Sequence, residues 1–362
     1  MVVGETISPI WEMLHDELLH FPLSWGFKRL GERLVSDSVA SWVEKIRTGN
    51  PRALARAITA VEDRAPESHE LLRALFPYSG RARIVGLTGA PGSGKSTLTD
   101  QLAREYRKRQ QSVGIVAVDP TSPFTGGAIL GDRIRMQRHH ADAGIYIRSM
   151  ATRGSLGGLA STTADVVSVL DASGRDVVLI ETVGVGQDEV DIVRLADVTL
   201  VILVPGMGDD VQSIKAGIME IADIFVINKS DREGADRVER EIHALQSTAP
   251  DRMATGKDGA AREVWTPPII KTVASEGRGI SELAVAIGQY EAFLGRSELG
   301  RQRRIENWRT RLVEMLRTEL MQRVRRDHLT ETAARELATE IAAHNRDPYT
   351  VIEEILGRFG RG

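Results

Sequence analysis

The middle of the chain alternates short apolar segments, rich in β-branched residues, with longer segments of helical periodicity. Each short segment has the length and the continuous apolar character of a strand buried on both faces. Buried strands separated by helices predict an α/β fold with a mostly parallel central sheet and right-handed crossovers. The predicted strands lie at residues 84–88, 113–118, 145–147, 177–180, 198–204, 224–227 and 269–273.

Helical patterns flank this sheet on both sides. Residues 34–77 place apolar side chains at helical spacing, and Pro51 and Pro66 predict the starts of helices. Residues 1–30 carry many large apolar side chains and predict a further helix and a turn. We expect an N-terminal helical segment at 1–77, a central α/β domain at 78–295 and a C-terminal helical arm at 296–362.

The C-terminal arm combines many arginines with an apolar stripe. The stripe recurs at steps of three and four residues, at Ile305, Trp308, Leu312, Leu316, Leu320 and Val324. An apolar stripe of this length needs a surface to cover it. The pattern fits a helix packed on its own domain, an oligomerisation arm or, with less support, a basic helix on a membrane surface.

Composition excludes several classes of protein. The 47 basic and 50 acidic residues give a formal net charge of −3, which disfavours nucleic-acid binding through overall charge. The absence of cysteine excludes disulfides, thiolate catalysis and cysteine-based zinc or iron–sulfur sites. No apolar run reaches the roughly eighteen residues of a membrane span, and the N-terminus lacks a signal-peptide pattern. We expect a cytoplasmic protein with no membrane or nucleic-acid partner.

The first predicted strand leads directly into a G-x-x-x-x-G-K-[ST] motif, and an amphipathic helix follows it. Glycines let such a loop curl so that successive backbone N–H groups point at a phosphate, and the helix N-terminus adds partial positive charge. An ordinary glycine-rich turn is the alternative, which the full pattern in this setting disfavours. The predicted nucleotide-binding residues are Gly89, Ala90, Pro91, Gly92, Ser93, Gly94, Lys95, Ser96 and Thr97, with Lys95 on the β/γ-phosphates and Ser96 on Mg²⁺.

A second motif selects the base. Asn228, Lys229 and Asp231 form an N-K-x-D motif after the strand at 224–227. The aspartate can accept from guanine N1–H and its exocyclic amine, the asparagine can bond N7, and the lysine stem can cover the ring. Adenine has no donor at those edges and would leave a buried Asp231 unpaired. Ala274 and Ser275, after the strand at 269–273, match the place where backbone N–H groups meet guanine O6. The predicted nucleotides are GTP and GDP.

Acidic residues begin three of the loops at the carboxyl edge of the predicted sheet. Asp119, Asp132 and Glu181 are candidates to contact Mg²⁺ directly or to hold its waters, because Mg²⁺ prefers hard oxygen ligands. Asp119 precedes a proline, so a simple turn is an alternative there. Residues 119–138 and 181–190 are predicted to change shape on hydrolysis, with the Gly184 N–H sensing the γ-phosphate.

The segment after Glu181 differs from that of small signalling GTPases. Those proteins carry Asp-x-x-Gly-Gln, in which the glutamine orients the attacking water. Here glutamate replaces the aspartate, Val185 follows Gly184, and the nearest glutamine is Gln187. We therefore expect slow intrinsic hydrolysis that involves Lys95, Glu181 and Gly184. Candidate charge stabilisers, each also explicable as a surface arginine, are Arg133, Arg135, Arg148 and Arg153.

Four sequence blocks together resemble the MeaB/ArgK family of P-loop GTPases. They are Glu-Thr-Val-Gly-Val-Gly-Gln at 181–187, Thr-Gly-Gly-Ala-Ile-Leu-Gly-Asp at 125–132, Arg-Gly-Ser-Leu-Gly-Gly at 153–158 and Asn-Lys-Ser-Asp at 228–231. The likeness extends from about residue 51 to about residue 325. It implies a P-loop NTPase fold and a GTPase chaperone that gates adenosylcobalamin loading, and protects or reactivates a cobalamin-dependent acyl-CoA mutase. It also implies a homodimer joined largely through C-terminal helices.

The resemblance assigns further roles by position. Lys95 and Ser96 match the phosphate and Mg²⁺ residues, and Asp119, Asp132 and Glu181 match the acidic metal set. The loop at 204–215 matches a third switch that relays nucleotide state to the mutase, with Asp209, Asp210, Gln212 and Lys215 as its candidate residues.

The resemblance leaves the partner mutase open among methylmalonyl-CoA, isobutyryl-CoA and 2-hydroxyisobutyryl-CoA mutases. The chain lacks the Asp-x-His-x-x-Gly motif of base-off cobalamin binding, so we assign cobalamin to the partner.

Two other functions compete with the chaperone. The first is a small-molecule kinase of the arginine or ornithine type, although no signature of a second substrate is present. The second is a metallochaperone GTPase, which usually carries Cys-x-x-Cys or histidine-rich tracts. This chain has no cysteine and only one histidine pair, at 139–140.

Overall fold

The computed structural model describes residues 39–119, 142–151, 158–182, 195–206, 221–248 and 265–359. The chain divides into two compact units, Met1–Pro77 and Tyr78–Gly362.

The N-terminal unit is helical in its described part. It contains α1 at 39–47, α2 at Pro51–Glu62 and α3 at Ser68–Leu75, and a 3-10 turn follows at Phe76–Tyr78. The Asn50 side chain caps α2 by accepting from the backbone N–H groups of Arg52 (3.1 Å) and Ala53 (3.0 Å). The buried face of α2 comprises Ala53, Leu54, Ala57, Ile58, Ala60 and Val61.

The prediction for the two prolines is half correct. Pro51 is the first residue of α2, as expected. Pro66 instead lies in a turn, closed by a 2.9 Å hydrogen bond from the Ser68 N–H to the Ala65 carbonyl, and α3 begins two residues after it. A proline suits the second position of such a turn as well as a first helical turn, so its presence alone does not separate the two.

The described strands of the second unit form one seven-stranded parallel sheet. Their order across the sheet is β3-β2-β4-β1-β5-β6-β7. This confirms the predicted α/β fold. The strands are β1 (Arg83–Thr88), β2 (Val113–Asp119), β3 (Ile145–Ala151), β4 (Val177–Glu181), β5 (Val198–Leu203), β6 (Ile224–Asn228) and β7 (Ile269–Thr272).

The edge strand β3 is longer than its apolar pattern predicts. It continues past Ile147 through Arg148 and Ser149 to Ala151, and among the described strands it pairs only with β2. An edge strand tolerates polar residues that a central strand does not, so the apolar run marks only the start of β3.

Helices cover both faces of the sheet. Leu98 and Leu102 of α4 pack with Leu283 and Ile287 of α7 against one face, while α5 and α6 lie on the other. The helices of this unit are α4 (Lys95–Lys108), α5 (Gly158–Ala172), α6 (Ala235–Thr248), α7 (Ile280–Arg296), α8 (Glu298–Asp327), α9 (Glu331–Ala342) and α10 (Pro348–Phe359), with a 3-10 turn at Ala274–Glu276.

Two aspartates, the half-buried Asp197 and the buried Asp223, accept hydrogen bonds at the amino-terminal ends of the strands. The Asp197 carboxylate accepts from the Ile84 N–H at 3.0 Å, and the Asp223 carboxylate accepts from the Thr199 N–H at 2.8 Å. Burial raises the pKa of the Asp197 carboxyl. Each bond satisfies the N–H group of a residue near the start of a strand. The predicted nucleotide residues lie at the opposite, carboxyl ends of the strands.

Helix α8 is anchored to the same amino edge. Arg303 donates to both carboxylate oxygens of Asp223 (2.7 and 2.9 Å), and the Tyr290 hydroxyl donates to Asp223 at 2.6 Å. Burial alone would lower the pKa of Arg303, but its hydrogen bonds to Asp223 raise it. Further along the helix, Arg311 donates to Asp165 of α5 at 3.1 Å.

The apolar stripe of α8 is largely exposed. Ile305, Trp308, Leu312, Leu316 and Leu320 all face away from the packed core of this unit, whereas Val324 is buried. Among the described residues, nothing from the same domain covers this stripe along its length. Every helix in the described ranges is too short or too polar to cross a lipid bilayer.

The Arg303–Asp223 pair predicts a specific stability effect. Arg303→Met should lower the free energy of unfolding by about 3 kcal/mol, because it leaves a buried carboxylate without its charged partner. Arg309→Met is the matched control, since Arg309 pairs with Glu306 on the exposed surface of the same helix. The control should change stability by less than about 1 kcal/mol. Equal effects of the two variants in urea unfolding would contradict this assignment.

Candidate functional site

The glycine-rich motif forms the turn between β1 and α4. Gly89, Gly92 and Gly94 all have positive φ angles, of 145°, 77° and 92°. A Cβ on Gly89 would collide with the Ile202 carbonyl of β5, and a Cβ on Gly94 would collide with the Asn228 amide. Glycine is therefore required at both ends of the loop, for its backbone angles and for close approach.

Lys95 lies across the inside of this loop. Its ammonium donates to the carbonyls of Gly89 (2.5 Å) and Ala90 (3.1 Å), and the side chain is buried. Lys95 is also the first residue of α4, so the helix N-terminus and the ammonium lie together. Both favour an anion at this position.

Ser96 and Glu181 meet beside the loop. The Ser96 hydroxyl donates to a carboxylate oxygen of Glu181, which is the buried last residue of β4. The register of the sheet places Glu181 opposite Leu87, two residues before the loop. The phosphate loop and the end of β4 are therefore in direct side-chain contact.

These two oxygen donors fit a magnesium ion. Mg²⁺ takes hard oxygen ligands, usually one or two from protein carboxylates or hydroxyls and the rest from phosphate and water. The described residues hold no group of three His, Cys, Asp or Glu that could bind a metal without other ligands. Ser96 and Glu181 would thus hold the ion together with phosphate oxygens, and the ion would supply positive charge to the β- and γ-phosphates.

Asn228 connects the predicted base-reading motif to the phosphate loop. Its side-chain amide nitrogen donates to the Ser93 carbonyl at 2.8 Å. Its oxygen accepts from the Thr272 hydroxyl and the Ala274 N–H, both at 3.1 Å. We expected Asn228 to bond guanine N7 and the Ala274 N–H to meet guanine O6. In the structure these two groups bond to each other.

The rest of the motif lies on the open side of the loop. Lys229 has a positive φ of 54°, and its ammonium donates to the Gly92 carbonyl at 2.8 Å. Asp231 and Ser275 are exposed. We expected Asp231 to be buried. In the exposed state the carboxylate is hydrated. A base without matching donors, such as adenine, would lose binding free energy only when the bound nucleotide shields the carboxylate from water.

Several predicted residues lie partly or wholly outside the described residues. The backbone of Asp119 ends β2, next to β4 in the sheet, but its side chain is not described. Arg148 lies in β3. The predicted residues outside the described ranges are Asp132, Arg133, Arg135, Arg153, Gly184, Gln187, Asp209, Asp210, Gln212 and Lys215.

Sequence reasoning missed two buried threonines that hold this site together. Thr272 bonds Asn228, and both the N–H and the hydroxyl of Thr182 donate to the Leu87 carbonyl at 3.1 Å. Each threonine ends or directly follows an apolar strand at the carboxyl edge of the sheet. A buried polar residue at that position was the available signal.

Comparison with known proteins assigns the family. A family model described as "Methylmalonyl Co-A mutase-associated GTPase MeaB" matches residues 54–328. The chain belongs to the MeaB family. It is 48% identical over 87% of its length to a Pyrococcus abyssi protein that carries the name of a GTPase, of which 96% is covered. It is 36% identical over 75% of its length to the Escherichia coli GTPase ArgK, of which 82% is covered.

A solved structure supports the same assignment. The crystal structure of a protein named "LAO/AO transport system kinase" matches with a TM-score of 0.63 and 27% identity, over 90% of this chain and 98% of that one. The chain described here is therefore a GTPase of the MeaB family. Its predicted P-loop NTPase fold is confirmed.

Base selectivity should depend on Asp231. Asp231→Asn should weaken GDP binding roughly tenfold to hundredfold, because it removes the carboxylate that is predicted to accept from two guanine donors. The same variant should gain affinity for xanthosine diphosphate, whose oxygen can accept from the new amide. Glu233→Gln is the matched control, since Glu233 is an exposed acid in the same loop. Competition against a fluorescent GDP checks both variants, and an unchanged preference for guanine in Asp231→Asn would contradict the assignment.

Proposed function

We propose that this chain is a GTP-dependent chaperone of an adenosylcobalamin-dependent acyl-CoA mutase. In this role it gates cofactor loading and protects or reactivates the mutase. One observation carries the proposal: the predicted guanine-reading residue Asn228 bonds the phosphate loop at Ser93, in a chain that matches the mutase-associated family over residues 54–328. Methylmalonyl-CoA mutase is the partner that the family description favours. Isobutyryl-CoA and 2-hydroxyisobutyryl-CoA mutases are the alternatives.

The site gives the protein a means to respond to its nucleotide. Glu181 contacts Ser96 at the phosphate loop and is the first residue of the predicted switch at 181–190. We assign nucleotide sensing to this segment through Gly184, and metal binding to Ser96 and Glu181 with Asp119 and Asp132 as further candidates. A ligand shifts such a conformational equilibrium only by its difference in affinity for the two states, so contacts to the γ-phosphate are the relevant ones.

A second segment extends the response toward the partner. The predicted third switch at 204–215 directly follows β5, whose Ile202 carbonyl lies against Gly89 of the phosphate loop. We assign the relay to the mutase to this segment, with Asp209, Asp210, Gln212 and Lys215 as its residues. Hydrolysis is slow in this account because no glutamine follows Gly184 to orient the attacking water.

The exposed stripe of α8 supports a homodimer. Trp308, Leu312 and Leu316 are exposed on a 30-residue helix that is about 45 Å long. Ion pairs of Arg303 and Arg311 attach the N-terminal half of this helix to the rest of its unit. A second copy of the same helix offers a matching apolar face, as a twofold interface requires. We therefore propose that α8 is the dimer contact.

A phosphotransferase is the competing proposal, because a similar solved structure is named as a transport system kinase. A kinase needs a second substrate pocket and a group that accepts the substrate proton near the γ-phosphate. In the described part of the site, the buried carboxylate that could accept this proton is Glu181. Glu181 already accepts from Ser96, which disfavours that role.

The decisive experiment measures GTP turnover with and without a purified cobalamin-dependent methylmalonyl-CoA mutase. We expect the mutase to raise the rate of GTP hydrolysis at least about tenfold, because a partner could supply the group that orients the attacking water. Lys95→Ala with the same mutase is the control, because it removes the ammonium that spans the phosphate loop and should abolish the stimulated rate. Unchanged turnover with all three candidate mutases would contradict the chaperone proposal, and labelled phosphate on arginine or ornithine would favour the kinase.

A further inference from the structure

The strongest unassigned feature is a buried threonine next to the metal-binding pair. Thr182 directly follows Glu181 at the end of β4 and is only 2% exposed. Its backbone N–H and its hydroxyl both donate to the carbonyl of Leu87, at 3.1 Å each. The first bond continues the parallel ladder between β1 and β4, in which Glu181 lies opposite Leu87. The second bond is additional to the ladder.

Neither packing nor hydrogen-bond satisfaction requires this hydroxyl. A valine has the same branched shape and would fill the same buried space. The Leu87 carbonyl would still accept from the Thr182 N–H, so no buried acceptor would be orphaned. Burying a hydroxyl has a desolvation cost that a methyl group lacks. The reason for a threonine therefore lies in what the second bond restrains.

The bonds around Thr182 form a closed ring. The Thr182 hydroxyl bonds Leu87, and two residues later the Gly89 carbonyl accepts from the Lys95 ammonium at 2.5 Å. Ser96, which follows Lys95 in the chain, donates to Glu181, and Glu181 is covalently joined to Thr182. The ring thus connects the end of β4, the end of β1, the phosphate loop and the first turn of α4.

We propose that Thr182 is a positioning residue that fixes Glu181 against Ser96 and thereby strengthens Mg²⁺-dependent nucleotide binding. A hydroxyl bonded to Leu87 restrains the backbone that carries Glu181. Two strand ends joined by two bonds have less freedom than the same ends joined by one. Ser96 and Glu181 would then offer a bound ion two oxygens that are already in place, so less ordering of the protein would be needed on binding. This inference rests on the magnesium role proposed above for Ser96 and Glu181.

The test compares Thr182→Val with Thr182→Ser in the full-length chain. The measured quantity is the release rate of a fluorescent GDP as a function of free Mg²⁺. For Thr182→Val we expect the Mg²⁺ concentration that half-maximally slows release to rise about fivefold, the effect of one ordinary hydrogen bond. Release in excess chelator should match the wild type. Thr182→Ser keeps the hydroxyl and should stay within about twofold of the wild type on the same basis.

A double-mutant cycle separates a positioning role from a merely structural one. If Thr182 acts through Glu181, Thr182→Val should cause no further shift in a Glu181→Gln background. An additive shift there, an unchanged Mg²⁺ midpoint in Thr182→Val, or equally faster release with and without Mg²⁺ would overturn the proposal. A Thr182→Val chain that fails to fold would also overturn it, because the hydroxyl would then be needed for folding.

Failure of this inference is distinguishable from failure of the proposed function. Release that ignores Mg²⁺ in the wild type would refute the magnesium role of Ser96 and Glu181, and the role of Thr182 with it. The measurement contains no mutase, so the chaperone proposal stands or falls on the turnover experiment alone.

Discussion

The nucleotide site depends on the side-chain amide of Asn228. It donates to the Ser93 carbonyl and accepts from Thr272 and Ala274, so one buried group joins the phosphate loop to the ends of β6 and β7. Gly94 lacks a side chain at the point where a Cβ would collide with this amide. The phosphate loop and the base-reading motif are therefore one unit. Loss of the Asn228 amide should therefore weaken guanine recognition and phosphate binding together.

The carboxyl ends and the amino ends of the parallel strands carry different groups of polar residues. The carboxyl edge carries the polar residues of the site, as expected of an open parallel sheet. At the amino edge, Asp197 and Asp223 satisfy strand N–H groups, and Asp223 also anchors Arg303 of α8. The five-residue strand β6 begins beside Asp223 and ends at Asn228. The arm and the nucleotide site are thus attached to opposite ends of one short buried strand.

Sequence reasoning identified the elements better than their contacts. Continuous apolar runs located each described strand because central parallel strands are buried on both faces. The phosphate loop was recognisable because its glycines are required by local geometry. The partners of Asn228 were not predictable, since Thr272 lies 44 residues away and meets it only through the register of β6 and β7. Thr182 was missed for the same reason, because its partner Leu87 is 95 residues away.

The central claim is that Asn228 makes the phosphate loop and the base reader a single unit. The most direct test measures the binding of magnesium pyrophosphate, which has no base, to the wild type, Asn228→Ala and Asp231→Asn. We expect Asn228→Ala to weaken pyrophosphate binding about tenfold, because the Ser93 carbonyl and the Ala274 N–H lose their partner. Asp231→Asn alters only the exposed carboxylate that is predicted to read the base, so it should leave pyrophosphate binding unchanged. Pyrophosphate binding that is equally strong in all three proteins would contradict the claim.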